Sequence, residues 1–407
     1  MENTKVNSTL LKNVNRKKIL SVIDNAETIS RVEVKNLLDK NGKTVTNITN
    51  SLIEDGLVTP VGYSSFTGGR RRELLTINAN YGYLVGVHLG IHFLRAIITD
   101  FKYKILGEEK IPIYANESQM NLLGKIRKAI DFLIKNAAAS SEKLLGIGFA
   151  ANGLYNDKTG EWIVSANNPN WANVPIKEIL TKRYNVPVYV EQNTRAIALA
   201  ERHFGVVKNS NNFIFIGLGV GIGSAIINEN GRLYRGANNI AGEIGHVVVQ
   251  ADGDLCSCGK HGCLETVASG WAMLKKVKER IIAGEKSEIL DLCNGDLEAM
   301  NIETLLKAFN NNDKLVTEIF ETAMEYLSIS IANTINMFNP DFVVLGEYFA
   351  ELNKDYLSRL IKKTKSHIIP LSAKNTKILI SSLGSKATVL GATTLVRDSY
   401  FYIDTLN

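Results

Sequence analysis

Three of the chain's four cysteines fall within eight residues, in the stretch CSCGKHGC from Cys256 to Cys263. A metal is a better candidate for such a cluster than a disulfide, since neighbours at C-x-C spacing bridge each other poorly and a reducing cytosol would not keep the bond. A closed structural zinc site takes four nitrogen and sulfur ligands in a tetrahedron, so three thiolates leave one place to fill. Two histidines are at hand: His246, ten residues upstream in GEIGHVVV, and His261 inside the loop.

A second group of residues suits polyanion chemistry. Residues 1–80 carry twelve Lys and Arg against eight Asp and Glu, so four of the chain's six excess positive charges lie in its first fifth. Within it, TVTNITNSLIEDG reads as a helix from about Thr44 to Asp55 that stops at Gly56, with Val45, Ile48, Leu52 and Ile53 facing inward. Lys43, Thr44, Thr46, Asn47 and Asn50 are left outward, polar side chains that reach base edges and phosphates. Further on, LVTPVGYSSFTGGRRRELLTIN reads as two strands around a Gly- and Arg-rich tip, a wing whose Arg70, Arg71 and Arg72 would neutralise phosphates or enter a minor groove.

These residues need elements to hold them. RKKILSVIDNA predicts a first helix with Ile19, Leu20, Val22 and Ile23 in one stripe; Ser30 and Glu33 have capping-box spacing before a second; Asn41-Gly42 supplies a turn before the third. Two helices joined by a tight turn, the second polar outside, form a helix-turn-helix pattern. From about Tyr83, strands such as YLVGVHLG, LRAIITDF, LLGIGFAA and NFIFIGLGVGIGSAII alternate with helices, which predicts an α/β body of two lobes around a cleft. The 407 residues, 45% hydrophobic and 22% charged, are ordinary for a globular protein of two or three domains. The N-terminal MENTKVNSTLLKNVNRKKIL has no apolar leader core, and no apolar run approaches membrane-spanning length, so a cytoplasmic protein without a membrane partner is expected.

The stretch GEIGHVVVQADGDLCSCGKHGCLETVAS resembles the signature of the ROK family of sugar kinases and sugar-responsive transcriptional repressors, and the likeness runs from NRKKIL to LGSKATVLGATT. The resemblance implies an α/β, two-lobed, actin-like or sugar-kinase-like body behind an N-terminal winged helix-turn-helix domain. The expected domains are residues 1–80 for the head, 81–195 for the first lobe, and 196–407 for the second, with the C-terminal helix returning to the first. It implies structural zinc on His246, Cys256, Cys258 and Cys263, which leaves His261 to the loop. It also implies a monosaccharide, xylose or glucose, held by Asn168 (with Asn170 the alternative in SANNPNW), Gln192, Asn193, Glu243, His246 and Glu265.

The family's kinases need a phosphate loop and a carboxylate base, and both are altered here. HLGIH, with His88, Ile91 and His92, stands where they read Asp-x-Gly-Gly-Thr, and isoleucine removes the close backbone approach that glycine allows. Their Asn-Asp pair falls on Gln192-Asn193; an amide hydrogen-bonds a hydroxyl but takes no proton near neutral pH. GLGVGIGS, Gly217 to Ser224, stays close to the kinase form, whereas LGE, Leu345 to Glu347, replaces a Gly-Gly. The expected protein is therefore no enzyme but a repressor, most like xylose-operon repressors, binding double-stranded operator DNA as a homodimer or dimer of dimers. The alternative is a ROK kinase phosphorylating a hexose with ATP.

Overall fold

A computed structural model of the chain describes residues 8–65, 71–114, 116–137, 143–165 and 170–401. It divides into two compact units, residues 1–196 with 388–407, and residues 197–387.

The first unit opens with α1 (Ser8–Asn25), β1 (Ile29–Ser30), α2 (Arg31–Leu38), α3 (Gly42–Glu54), β2 (Val58–Tyr63) and β3 (Glu73–Ile77), the strands pairing antiparallel in the order β1-β3-β2. At the start of α2 the Ser30 hydroxyl accepts the Glu33 N–H while the Glu33 carboxylate accepts the Ser30 N–H at 2.9 Å, the reciprocal cap the spacing predicts. The Ser30 hydroxyl in turn donates to the Glu33 carboxylate at 2.6 Å, which holds that carboxyl below its usual range. Asn41-Gly42 departs from its reading as a turn. The Asn41 side chain accepts the Lys43 N–H at 2.8 Å and caps α3, whose first residue is Gly42, because an Asn in extended conformation satisfies an otherwise orphaned donor. α3 closes with Gly56 at φ 76° and the Leu57 N–H on the Leu52 carbonyl, a closure that requires a left-handed residue.

The first body sheet follows, with β4 (Tyr83–Leu89), β5 (Phe93–Asp100), β6 (Ile105–Pro112), α4 (Gln119–Asn136), β7 (Leu144–Ala151), a ribbon of β8 (Leu154–Tyr155) and β9 (Trp162–Val164), α5 (Ile176–Tyr184) and β10 (Val188–Gln192). Its order is β6-β5-β4-β7-β10, an antiparallel hairpin pair continued by parallel strands. One face, with Val85, Val87, Ala96, Ile98, Ile147 and Phe149, is covered by Ile126 and Ile130 of α4 and Ile176 and Leu180 of α5.

The chain enters the second unit through α6 (Asn193–Phe204) and continues as β11 (Phe213–Leu218), β12 (Ile222–Ile227), α7 (Glu265–Ala268), α8 (Gly270–Ile282), α9 (Ile289–Leu292), α10 (Ile302–Asn310), α11 (Lys314–Phe338), β13 (Phe342–Glu347), α12 (Lys354–Ser366), α13 (Pro370–Asn375) and β14 (Lys377–Ile380). The sheet order β12-β11-β13-β14 repeats the plan of a hairpin followed by parallel strands. Its core gathers Ile214, Ile216, Val343 and Leu345 with the inner stripe of α11, and Cys293 is a plain thiol buried in it.

The last helix, α14 (Ala387–Phe401), returns to the first unit and crosses the open face of its sheet. Gly148 makes this possible, since a Cβ there would collide with the Ala392 carbonyl. Val396 and Phe401 of this helix, with Leu84 and Phe101, share one core with Ile19, Leu20, Val34, Val45 and Leu52 of the first three helices. Arg397 sits at that junction, 3% exposed, with its terminal nitrogens 2.6 and 2.9 Å from the Asp24 carboxylate and its Nε donating to the Phe101 carbonyl at 2.7 Å. Its guanidinium lies over the rings of Phe101, Tyr103 and Phe401. No helix among the described residues is long and apolar enough to cross a membrane.

Candidate functional site

The cysteine loop is built by a short ladder that returns on itself. Val249 N–H and Leu264 N–H bond to the Gly262 and Val247 carbonyls, both at 2.8 Å, and Cys256 N–H bonds to Lys260 at 2.8 Å across the tip. Gly262, at φ 72°, is obligatory, since a Cβ would meet the Gln250 carbonyl. The ladder brings the donor atoms of His246, Cys256, Cys258 and Cys263 within 4.8 Å of one another, the one such group of at least three His, Cys, Asp or Glu among the described residues, and this group could hold a metal ion. Cys256 Sγ stands 3.5 Å from His246 Nδ1, and Cys258 Sγ stands 3.6 Å from Cys263 Sγ. The Lys260 N–H lowers the Cys258 thiol, whereas burial, with two more sulfurs alongside, pushes Cys263 up to about 12. A cation bound among these sulfurs would stabilise their thiolate forms. His261 turns away, its Nδ1 3.0 Å from the Gly253 carbonyl.

The same loop fixes two carboxylates in the second unit. Glu265 begins α7 two residues after Cys263, and one of its oxygens accepts the Ile222 N–H at 3.0 Å. Gly245, between Glu243 and His246, has its Cβ position 3.3 Å from that oxygen, which brings the three residues into one neighbourhood. Glu243 is exposed, and the carbonyl before it is anchored to β12, with the Ser224 hydroxyl donating at 2.7 Å to Gly242. With His246 Nδ1 on the cysteine side, its Nε2 and the outer carboxylate oxygens remain to meet hydroxyl groups.

In the first unit, Gln192 ends β10 and Asn193 begins α6. The Gln192 amide donates to the Gly153 carbonyl at 2.9 Å, and its backbone N–H bonds to fully buried Glu191, which also accepts from the Tyr155 hydroxyl. Gln192 is thus held through its amide nitrogen and its backbone N–H. Asn168 lies outside the described residues. Near the end of β4, His88 keeps a buried Nδ1 without a partner among the described residues and is driven down to about 4 by burial beside Arg95, so it is a neutral imidazole.

On α3, Lys43, Thr46, Asn47 and Asn50 are exposed and Thr44 is half-buried. Asn50 is less free than its position on the helix implies, because its Oδ1 accepts from Arg31 at 3.0 Å. Arg31 also reaches Thr49 at 3.0 Å and Glu73 at 2.5 Å, tying α2, α3 and β3 together. Arg71 and Arg72 are exposed where Ser64 and Arg72 pair beyond β2 and β3, and Arg70 lies outside the described residues. Two residues escaped sequence reasoning. Arg397 was hidden in an apolar helix stripe, and Glu347 was visible as the acid in LGE, but its placement against the β11–β12 turn was not.

A model of the ROK family matches residues 84–399. The chain is 32% identical over 390 residues to the "Xylose repressor" of Caldicellulosiruptor bescii, an alignment covering 96% of this chain and 97% of that one. Among solved structures, it resembles a ROK family transcriptional regulator described as a homologue of the Escherichia coli MLC protein, with TM-score 0.81 and 26% identity over 96% of this chain and 97% of that one. It also resembles a ROK family glucokinase from Streptomyces griseus in complex with glucose and AMPPNP, with TM-score 0.68 and 26% identity over 78% of this chain and 100% of the other.

Proposed function

The chain belongs to the ROK family, and we propose that it is a sugar-responsive, DNA-binding transcriptional repressor of a carbohydrate-utilisation operon, with xylose as its effector. The observation that carries this is one of coverage. The glucokinase is matched over its whole length by 78% of this chain, whereas the regulator is matched by 96%, and the family model begins at residue 84, after the helical head, which supports reading the excess as that head. Read as a winged helix-turn-helix, α3 would enter the major groove with Asn47, Thr46 and Lys43 toward bases and phosphates, while Arg70, Arg71 and Arg72 would engage the backbone beside it. A homodimer would set two heads against a two-fold operator, and a dimer of dimers two such pairs.

The distances in the cysteine loop support zinc as its ion. With Zn–S near 2.3 Å and Zn–N near 2.0 Å, a tetrahedron has S–S edges of about 3.8 Å and S–N edges of about 3.5 Å, close to the separations of 3.6 and 3.5 Å between the donors here. Four protein ligands leave no open position, so the ion is structural; it would stiffen the segments carrying His246 and Glu265. Glu243, His246 and Glu265 are the hydroxyl-binding set proposed for the sugar, with Asn168, Gln192 and Asn193 contributing amides. A repressor of genes for using a sugar serves only if that sugar favours the released state, which requires different sugar affinities in the two states.

A thermal-shift panel tests the sensor. Ligand at 100 times its dissociation constant adds about 2.7 kcal/mol, roughly 5–10 °C for units of this size, and xylose is expected to exceed glucose and N-acetylglucosamine. The likeness to a glucokinase favours a second reading, a sugar kinase. A coupled assay with ATP, zinc and a panel of aldoses decides it: turnover above about 1 s⁻¹ would establish the kinase. Asn193, an amide that accepts no proton near neutral pH, argues against it.

A further inference from the structure

The β11–β12 hairpin carries glycine at 217 and 223, paired with each other in its strands, and at 219 and 221 in its turn. A backbone so bare of side chains lies open to a closely packed ligand, and successive N–H groups in such turns are typical cradles for phosphate. Here the protein covers that backbone itself. β13 runs parallel to β11 with Gly217 opposite Gly346 and Leu218 opposite Glu347. From the end of β13 the Glu347 carboxyl folds back over the turn: a Cβ at Gly217 would collide with its Oε2, and the Cβ position of Gly219 is 3.4 Å from Oε2 and 3.8 Å from Oε1.

Three features show that this placement is costly. Glu347 adopts φ 57° and ψ −128°, a backbone region that side-chain-bearing residues avoid. The surrounding protein strips water from its carboxyl and pushes it up to about 7, although the residue still reaches solvent. No hydrogen bond to the carboxyl is made among the described residues to offset that lost hydration. Glycine at 347 would relieve all three, and because the residue is exposed, core packing does not explain its side chain.

We propose that Glu347 is a specificity-determining residue whose carboxyl occupies the glycine turn and bars phosphate-bearing small molecules from it. The proposal rests on the reading of this body as a sugar sensor, one that must respond to sugar and not to the phosphate compounds around it. It is tested on the full-length, zinc-loaded protein by calorimetric titration with inorganic tripolyphosphate and, separately, with AMPPNP. Glu347→Gly should bind tripolyphosphate at least tenfold more tightly than the wild type. Glu347→Gln, which keeps the bulk but not the charge, should fall between them. The melting temperature of Glu347→Gly should equal or exceed that of the wild type, and its operator complex should be intact. A gain with both ligands supports a phosphate cradle. The proposal is overturned by sub-millimolar binding of either ligand to the wild type, by a gain confined to AMPPNP, or by no gain in a folded Glu347→Gly. Absence of an operator complex in the wild type would count against the repressor reading instead, so the two failures are distinguishable.

Discussion

The helical head and the cysteine loop are held together by opposite means. In the head, Ile19, Leu20, Ile23, Val34, Val45 and Leu52 are all inside, and Lys43, Thr46 and Asn47, offered for DNA contact, project from it, whereas Asn50 is tied into it by Arg31. The loop is turned inside out: Val247, Val248 and Leu255 are 47%, 50% and 62% exposed, while Cys256 and Cys263 are buried. Ile244 and Leu264 anchor the segment's ends in the core, but little apolar burial holds it between them, so under the proposed reading the loop depends on its four donors and the ion they suit. The difference teaches where stability and function separate. Under the proposed assignments they are independent on the head's surface and one quantity in the loop.

The largest expected effect follows from the loop. Cys258→Ser should lose most of its zinc and its sugar-induced thermal shift, and the amides of residues 255–263 should exchange rapidly, because metal binding in small structural sites supplies about 10–16 kcal/mol of folding free energy. Metal analysis with hydrogen exchange checks this, and full zinc occupancy with a protected loop would break the comparison. Next comes the seam beneath the head. Arg397→Met removes a buried guanidinium that holds Asp24 and the Phe101 carbonyl. It should cost about 3 kcal/mol in urea unfolding, the lower end for a broken buried pair because Asp24 is partly exposed. The sugar dissociation constant should stay within a factor of two.

Smaller effects sharpen the contrast. Asn47→Ala should weaken operator binding by about 1–3 kcal/mol, leave random DNA nearly unaffected and not move the melting temperature. Glu265→Ala should reverse that pattern, keeping operator affinity without sugar and abolishing the sugar's effect. Fluorescence anisotropy on both variants decides whether recognition and sensing lie where they are assigned. Smallest of all, Arg71→Ala should reduce the slope of log affinity against log salt by about one unit, one phosphate contact, at unchanged stability.

How far the sequence reveals these regions follows the range of the forces involved. The Ser30–Glu33 cap and the Gly56 closure are legible because each is made by bonds between residues three to five apart. The cysteine loop is legible because thiols are scarce and their spacing is chemistry in itself, though choosing His246 over His261 took the family resemblance. Asn41-Gly42 was ambiguous, because asparagine in that pair serves either a turn or a cap, and the neighbouring helix decides. What stayed hidden is tertiary. Arg31 reaches across to Asn50 and Glu73, Arg397 to Asp24, and Glu347 to the glycine turn, each spanning 19 or more positions with no periodic trace.

The claim that one chain joins a DNA-binding head to a sugar sensor is tested most directly by a single titration. A labelled duplex from the chain's own upstream region is titrated with zinc-loaded protein at fixed salt, with and without saturating xylose. The account predicts a saturable complex at sub-micromolar protein, as expected for specific recognition, and at least a tenfold loss of affinity with xylose, a coupling of about 1.4 kcal/mol. An operator affinity that xylose, glucose and N-acetylglucosamine all leave unchanged would contradict it.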